Sequence, residues 1–378
     1  MVRRHLILLF VTTLSPLGPA TAASPPTDNP RHTALDKAID AAASTYFAET
    51  CHAGLSVAAV TPEGTRVYGY GYADRARRSL PKPDSLYEIA SVTKSFTASL
   101  AAYAVHEGKM ALVTDFREYL EGSYPNLAKD GHAVTLSTLL THRSGMPRDI
   151  PDSDAIFDAK NPRTLPVQLI ALNKGRDEKA FLRDLHATTL RSTPGAEERY
   201  SNAGFQLIGA GLEHVYGIRY DVLLQQRILS PLGMASTTLA PSPAQRARRV
   251  TGYDMFGTPA PGHPANAGAA WGLWSTPADL AKYVRWQLDG NDAVVALSHQ
   301  PLVHGDGEDV AMAWHVETIN GKHVTSHGGG SFGSSSQVVL FPASHHGYAL
   351  LANDTCKGTE SALKKLAIAA EAQATKAP

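Results

Sequence analysis

Segments with strand character lie near the two ends of this 378-residue chain, and helical periodicity fills the middle. Gly54 to Val60 and Arg66 to Ala73 are short apolar or aromatic runs joined by the turn tetrapeptide Thr61-Pro62-Glu63-Gly64. From Val310 the strand pattern returns, with Val310 to Ile319, a turn at Asn320-Gly321, then His323 to His327, Ser335 to Phe341 and Tyr348 to Asn353. Apolar residues recur at helical spacing in Ala34 to Phe47, Ser91 to Glu107, Leu136 to Leu140, Asn202 to Tyr216, Tyr220 to Leu229, Pro277 to Leu288 and the closing Thr359 to Gln373. The simplest architecture is one antiparallel sheet built from both chain ends, with a largely helical unit inserted between them. No internal repeat is present. Pro241 to Ala270 is rich in Pro, Gly and Ala without periodicity and reads as a long surface loop.

Composition removes several functions. Apolar residues at 43% against 19% charged residues allow enough burial to offset conformational entropy, which excludes a disordered chain. Lys plus Arg and Asp plus Glu each number 35, so no net basic field favours a nucleic-acid partner. Two cysteines make neither a disulfide-dense scaffold nor a four-thiolate zinc site. Residues 1–22 read as a secretory signal: Arg3 and Arg4 precede the apolar run Leu6 to Leu14, and Ala20-Thr21-Ala22 supplies the small residues of a cleavage site. The alternative, a membrane anchor, is opposed by Pro16 and Pro19, which leave the apolar run too short to span a bilayer. Cleavage near Ala22 leaves a slightly acidic mature chain, periplasmic or secreted, with no stable membrane anchor.

Three elements carry chemistry. Ser91-Val92-Thr93-Lys94 opens a helix, and residues three apart share a helix face, so Lys94 reaches the Ser91 hydroxyl. A serine hydroxyl is a poor nucleophile until a neighbour takes its proton; a lysine whose charge is opposed by desolvation and a nearby cation can do this. Tyr200-Ser201-Asn202 precedes a second apolar helix. Ammonium-type neighbours are expected to lower the Tyr200 phenol pKa and make it a base, with Asn202 orienting Lys94 and a substrate amide. His327-Gly328-Gly329-Gly330 ends a strand where missing side chains let a substrate approach the backbone.

In this order and context, these elements resemble the serine β-lactamase and penicillin-binding protein superfamily. The branch is that of class C β-lactamases, D-alanyl-D-alanine carboxypeptidases and β-lactamase-like esterases. The stretches Leu139 to Pro147, Arg199 to Phe205, Pro231 to Met234 and Ser275 to Leu280 also carry the resemblance, which covers nearly the whole mature chain. It implies an α+β, β-lactamase/transpeptidase-like fold: an antiparallel five-stranded sheet flanked by helices, from residues 23–88 and 296–378. A mainly helical domain, 89–295, is inserted, and the active site lies in the cleft between.

The resemblance also implies roles. Ser91 would be the acylated nucleophile, Lys94 its proton partner, and Tyr200 the general base and leaving-group acid. Asn202 would contact Lys94 and a substrate amide, and His327, Gly328 and Gly329 would form the substrate-binding third motif. The backbone N–H groups of Ser91 and Gly330 would make the oxyanion hole. Whether Lys94 or Tyr200 first takes the proton stays open. No cofactor and no metal are implied, and the partner is a small-molecule or peptide substrate: a peptidoglycan peptide, a β-lactam or an ester.

Two departures matter. His327 stands where Lys-Thr-Gly is usual, and Gly328 has no hydroxyl to hold a substrate carboxylate. Histidine changes charge near neutral pH, so carboxylate binding is expected to depend on pH. The implied function is an exported serine hydrolase of cell-wall peptides ending in D-Ala, as a carboxypeptidase or endopeptidase. Its alternatives are a class C-like β-lactamase or carboxylesterase and, from another class, a non-catalytic penicillin-recognising or cell-wall-binding module.

Other motifs read differently. Ser361-Ala362-Leu363-Lys364 repeats the Ser-x-x-Lys pattern as a solvated helix face. Gly329-Gly330-Ser331-Phe332-Gly333 matches a nucleophile elbow, but a strand-like run follows where a helix is required. No His-Glu-x-x-His occurs, and the adjacent His345 and His346 read as loop residues. Asn353-Asp354-Thr355 is an isolated glycosylation triplet, and Asp149 is placed toward the cleft without a role. In the superfamily sheet the strand after Cys51 neighbours the strand before Cys356. The resemblance therefore implies a Cys51–Cys356 disulfide, with two free buried thiols as the alternative.

Overall fold

A computed structural model of the chain describes residues 24–48, 51–264 and 268–375; the expected signal segment and its cleavage point lie outside these residues. The strands β1 (Gly54–Thr61), β2 (Gly64–Gly71), β3 (Glu308–Val310), β4 (His315–Ile319), β5 (Lys322–Gly330), β6 (Ser335–Phe341) and β7 (His346–Ala352) form one sheet. Its order is β2-β1-β7-β6-β5-β4-β3, and every pairing is antiparallel. The two ends of the chain meet where β1 pairs with β7, Leu55 opposite Ala352 and Val60 opposite Gly347.

The sheet has seven strands where five were expected. The run from Val310 to Ile319, read as one strand, breaks at Ala313, whose φ of +61° turns the chain back, and both pieces then pair along the edge beyond β5. This turn has a second use, because its Ala313 carbonyl receives the His327 side chain.

Both faces of the central strands are covered, which explains why they read as nearly unbroken apolar runs. Leu55, Val57, Val339, Tyr348 and Leu350 face a core formed with α1 (Ala34–Tyr46) and α5 (Thr359–Ala374). Ala58, Val60, Val338, Leu340, Ala349 and Leu351 face the other way, into a core continuous with α2 (Thr93–His106), α3 (Asn202–Tyr216) and α4 (Pro277–Gln287). Helix α2 runs through this second core and is buried almost throughout. Its small polar residues satisfy themselves on main-chain carbonyls: Ser95 Oγ donates to Val92, Ser99 Oγ to Ser95 and Thr97 Oγ1 to Ala269. No helix among the described residues is long and apolar enough to cross a membrane.

Cys51, before β1, is disulfide-bonded to Cys356, after β7, with their Cα atoms 6.0 Å apart and a sequence separation of 305. The bridge closes nearly the whole fold into one loop. Replacing both cysteines by serine is expected to cost about 2–5 kcal/mol of stability, read as a lower denaturant midpoint than that of the oxidised protein. An unchanged midpoint would show that this closure contributes nothing.

Candidate active site

Ser91 is presented on strained backbone. Ala90, immediately before it, has φ of +46°, a left-handed value that costs a residue with a Cβ about 1–3 kcal/mol. Neighbours hold the kink: Ile89 N–H donates to the Leu273 carbonyl at 3.0 Å, and Ser336 Oγ on β6 donates to the Ile89 carbonyl at 2.6 Å. A short 3-10 turn, Ala90–Val92, then leads into α2. Strand β5 passes so close that a Cβ on Gly329 would stand 2.7 Å from the Ser91 nitrogen. Only glycine fits there.

One turn into the helix, Lys94 is 0% exposed. Its Nζ lies 2.7 Å from Asn202 Oδ1, 2.8 Å from the Ala270 carbonyl and 3.1 Å from Ser91 Oγ. Burial drives its pKa well below the ordinary lysine value; Asp149 opposes the fall, and Arg148 adds to it. A neutral amine has two N–H bonds and one lone pair. In the protonated form Nζ donates to all three oxygens; in the neutral form the two carbonyl-type acceptors take the N–H bonds and the lone pair turns to the Ser91 hydroxyl.

The orientation of Asn202 is fixed from behind. Its Nδ2 donates to Asp149 Oδ1 at 2.9 Å, and Asp149 Oδ2 accepts from Ser153 Oγ at 2.5 Å, so the amide oxygen must face Lys94. Ser201, the cap of α3, accepts from the Gly204 N–H at 2.9 Å and donates to the Pro147 carbonyl at 2.6 Å. These bonds set Tyr200 and Asn202 on the side of the cleft opposite β5.

Tyr200 OH lies 2.5 Å from Ser91 Oγ. The His142 ring packs 4.4 Å from the Tyr200 ring, and the Arg148 guanidinium sits 5.2 Å from its centroid. The expected lowering of the phenol pKa is not found. Burial raises it above the ordinary tyrosine value, outweighing the Ser91 hydrogen bond and Arg148.

His327 corrects a second expectation. It is 3% exposed, its Nδ1 donates to the Ala313 carbonyl at 2.5 Å, and burial, with His315 and Lys94 adding, lowers its pKa to about 3. The third motif is therefore neutral at physiological pH and not cationic.

A cleft of about 700 Å³ opens above Ser91, Tyr200 and Asn202, with His327, Gly328 and Gly330 on its β5 side. Phe157, Leu165, Leu169 and Trp271 make part of its wall apolar. Three participants were not singled out in the sequence: Arg148, the Ala270 carbonyl and Glu360. Ala270, expected at the end of a surface loop, is instead fully buried in a short helical turn, Gly268–Trp271, and its main-chain carbonyl leaves no sequence signal. Arg148 and Glu360 are ordinary charged residues until the fold brings them to the cleft.

The competing motifs resolve elsewhere. Ser331 Oγ is hydrogen-bonded to Glu88, and β6, not a helix, follows it. Lys364 is ion-paired with Glu317 on β4, while Ser361 reaches the cleft rim. Asn353 is fully buried, its Nδ2 donating to the carbonyls of Tyr72, Ala73 and Thr251, so it is a structural tie and not an accessible glycan acceptor. His346 pairs with Glu371 at 2.8 Å. Among the described residues, His52, Asp354 and Cys356 form a grouping of metal-ligand type, but the Cys356 sulfur is engaged in the disulfide.

Comparison with known proteins gives a consistent pattern. A family model described as Beta-lactamase matches residues 39–373. Protein flp of Staphylococcus aureus (strain N315) is 28% identical over 298 residues, 75% of this chain and 56% of that protein. The chain thus spans little more than half the length of that relative. D-alanyl-D-alanine-carboxypeptidase/endopeptidase AmpH of Escherichia coli K12 is 26% identical over 253 residues, 67% of this chain and 62% of AmpH. Among solved structures, a β-lactamase/D-alanine carboxypeptidase from Yersinia pestis, complexed with citrate, superposes with a TM-score of 0.76 at 20% identity, covering 90% of this chain and 99% of its own. A class C β-lactamase superposes with a TM-score of 0.78 at 18% identity, covering 93% and 99%. Both structural neighbours share the β-lactamase/transpeptidase fold.

The His327 ring nitrogens are expected to keep the NMR shifts of a neutral Nδ1–H tautomer from pH 8 down to about pH 5, since the folded pKa is about 3. A titration midpoint near 6.5 would overturn the neutral third motif. The unfolded chain takes up this proton near pH 6.5 and the folded one near 3. The group therefore removes stability as pH falls through that window and has no effect above it.

Proposed function

Because the match over residues 39–373 makes this chain a member of the β-lactamase family, we propose that it is an exported serine hydrolase working through an acyl-enzyme on Ser91. The observation that carries this reading is the contact of Ser91 Oγ with both Lys94 Nζ, at 3.1 Å, and Tyr200 OH, at 2.5 Å. In the proposed acylation, Ser91 gives its proton to the neutral Lys94 amine as its Oγ bonds to the substrate carbonyl carbon. The N–H groups of Ser91 and Gly330 receive the oxyanion. Tyr200, kept protonated by burial, donates to the departing atom, and the bond to the leaving group breaks.

Deacylation reverses the proton traffic. Water gives a proton to the Tyr200 phenolate and its oxygen bonds to the acyl carbon, while Ser91 leaves and recovers its proton from Lys94. Every proton is returned, so no external acid or base is consumed. The neutral Lys94 makes it, and not Tyr200, the first proton acceptor in this scheme. Residues 23–88 and 296–378 would act as the sheet domain and 89–295 as the helical domain, with the cleft between them. Export into an oxidising compartment is supported by the Cys51–Cys356 bridge.

Hydrolysis of peptides ending in D-Ala is supported by what AmpH and the Yersinia pestis protein are named for. A second reading, an esterase or amidase acting on leaving groups without a carboxylate, is favoured by the neutral His327 and by Gly328, which offers no hydroxyl. The apolar cleft wall at Phe157, Leu165 and Leu169 suits an uncharged acyl portion.

Nitrocefin, a p-nitrophenyl ester and a D-Ala-D-Ala peptide, assayed side by side, separate these readings, and every turnover is expected to vanish in Ser91→Ala. Lys94→Ala should lower acylation about 10²–10⁴-fold. Tyr200→Phe should slow acylation by the peptide far more than acylation by the p-nitrophenyl ester, whose leaving group needs no proton, while deacylation, which uses Tyr200 in both cases, should slow alike. Activity should decline on the acid side as Lys94 becomes protonated. Turnover that survives Ser91→Ala, or no adduct with fluorescent penicillin together with no turnover of any acyl substrate, would sink the proposal.

A further inference from the structure

Glu360 takes no part in the proposed reaction, yet its side chain stands in the same cleft. It is the second residue of α5, and its carboxylate reaches back across the end of β5. A Cβ on Gly330 would stand 2.5 Å from Oε1, and one on Gly328 would stand 3.4 Å from Oε2. The acid thus lies directly over the two glycines whose backbone faces the cleft beside Ser91. Its charge is felt at both Lys94 and Tyr200, where it raises each pKa.

An acidic residue in a first helical turn ordinarily serves the helix N-terminus, which holds its pKa down. Glu360 behaves in the opposite way. Burial against the cleft wall raises its pKa, Lys94 opposes the rise, and no hydrogen-bond donor contributes. The carboxylate is therefore spent on the cleft and not on the helix.

Its root is rigid. Thr359 Oγ1 donates to the Cys356 carbonyl at 2.8 Å and to the fully buried Asp354 Oδ1 at 3.2 Å. Asp354 Oδ2 in turn accepts the Ala53 N–H at 2.8 Å, and Cys356 is bonded to Cys51. Across the cleft, Arg148 lies against Tyr200, His327 is neutral, and the Asp149 carboxylate is engaged by Asn202 Nδ2 and Ser153 Oγ.

We infer that Glu360 reads the charge of the departing group, admitting leaving groups that carry an ammonium or a neutral hydrogen-bond donor and turning away those with a carboxylate beside the scissile bond. The inference rests on the acyl-enzyme reading and deepens its second form. The substrate class is then acyl esters or amides of amines, amino amides or neutral alcohols, not of free amino acids. A fixed carboxylate within the cleft repels a second one and costs such a substrate at least about tenfold in kcat/KM.

The test uses three esters of one acyl group with para-substituted phenols bearing –COO⁻, –CONH₂ or –CH₂NH₃⁺. Each is assayed with the wild-type protein, Glu360→Gln and Glu360→Ala, so that intrinsic reactivity cancels in each variant-to-wild-type ratio. In Glu360→Gln the carboxylate ester should gain about tenfold or more relative to the amide ester, and the ammonium ester should lose by a similar factor. Equal ratios for all three esters would overturn the inference while leaving Ser91 chemistry intact. Turnover that persists in Ser91→Ala would instead overturn the acyl-enzyme reading beneath it. Glu360→Ala shows whether any change follows lost charge or lost packing, since only a charge effect sorts the three esters by sign.

Discussion

The site depends on one buried amine. A lysine side chain removed from water is costly to keep charged, and Lys94 sits in α2 where nothing near it is a close carboxylate. Its nearest partners are an amide oxygen, a main-chain carbonyl and the Ser91 hydroxyl, at 2.7, 2.8 and 3.1 Å. That set serves the two N–H bonds and lone pair of a neutral amine, the form that burial favours. An adjacent carboxylate would have fixed an ammonium and removed the proton acceptor. Asp149 is placed one residue back, bonded to Asn202, where it orients the amide without pairing with the lysine.

The rest of the fold can be understood as the means of holding that amine and its neighbours together. Ser91 comes from the 3-10 turn before α2 and Lys94 from α2 itself, Tyr200 and Asn202 from the entry to α3, the Ala270 carbonyl from the short helical turn Gly268–Trp271, and Gly328 to Gly330 from β5. The strained Ala90 is tolerated because Ser336, Leu273 and the close pass of Gly329 fix its surroundings. The sheet provides the fixed reference: both of its faces are buried, and its first and last strands are neighbours. The Cys51–Cys356 bridge lies at that junction and also anchors the turn that carries Glu360 into the cleft.

Elements with strong local signals were legible in the sequence. The double-faced strands showed as apolar runs, α3 and α4 showed their periodicity, and Ser91 with Lys94 showed a helix-face spacing. The turn at Ala313 was not legible, because an alanine in a left-handed conformation carries no composition cue. Charge state was the larger failure. Tyr200 was expected to be acidified by cationic neighbours and His327 to change charge near neutral pH, and both expectations ignored burial, which local sequence does not report. Glu360 was invisible for the same reason: its meaning comes from the glycines it overlies, some thirty residues away in sequence and on another element.

The claim on which this account turns is that Lys94 is held as a neutral amine in the free protein. An NMR pH titration of the protein labelled at lysine Cε, with the Lys94 signal assigned through Lys94→Arg, measures this directly. The account predicts one lysine titrating well below the ordinary value of 10.5, absent from the spectrum of the variant. A Lys94 signal titrating at or above 10.5 would contradict it and return the role of first proton acceptor to Tyr200.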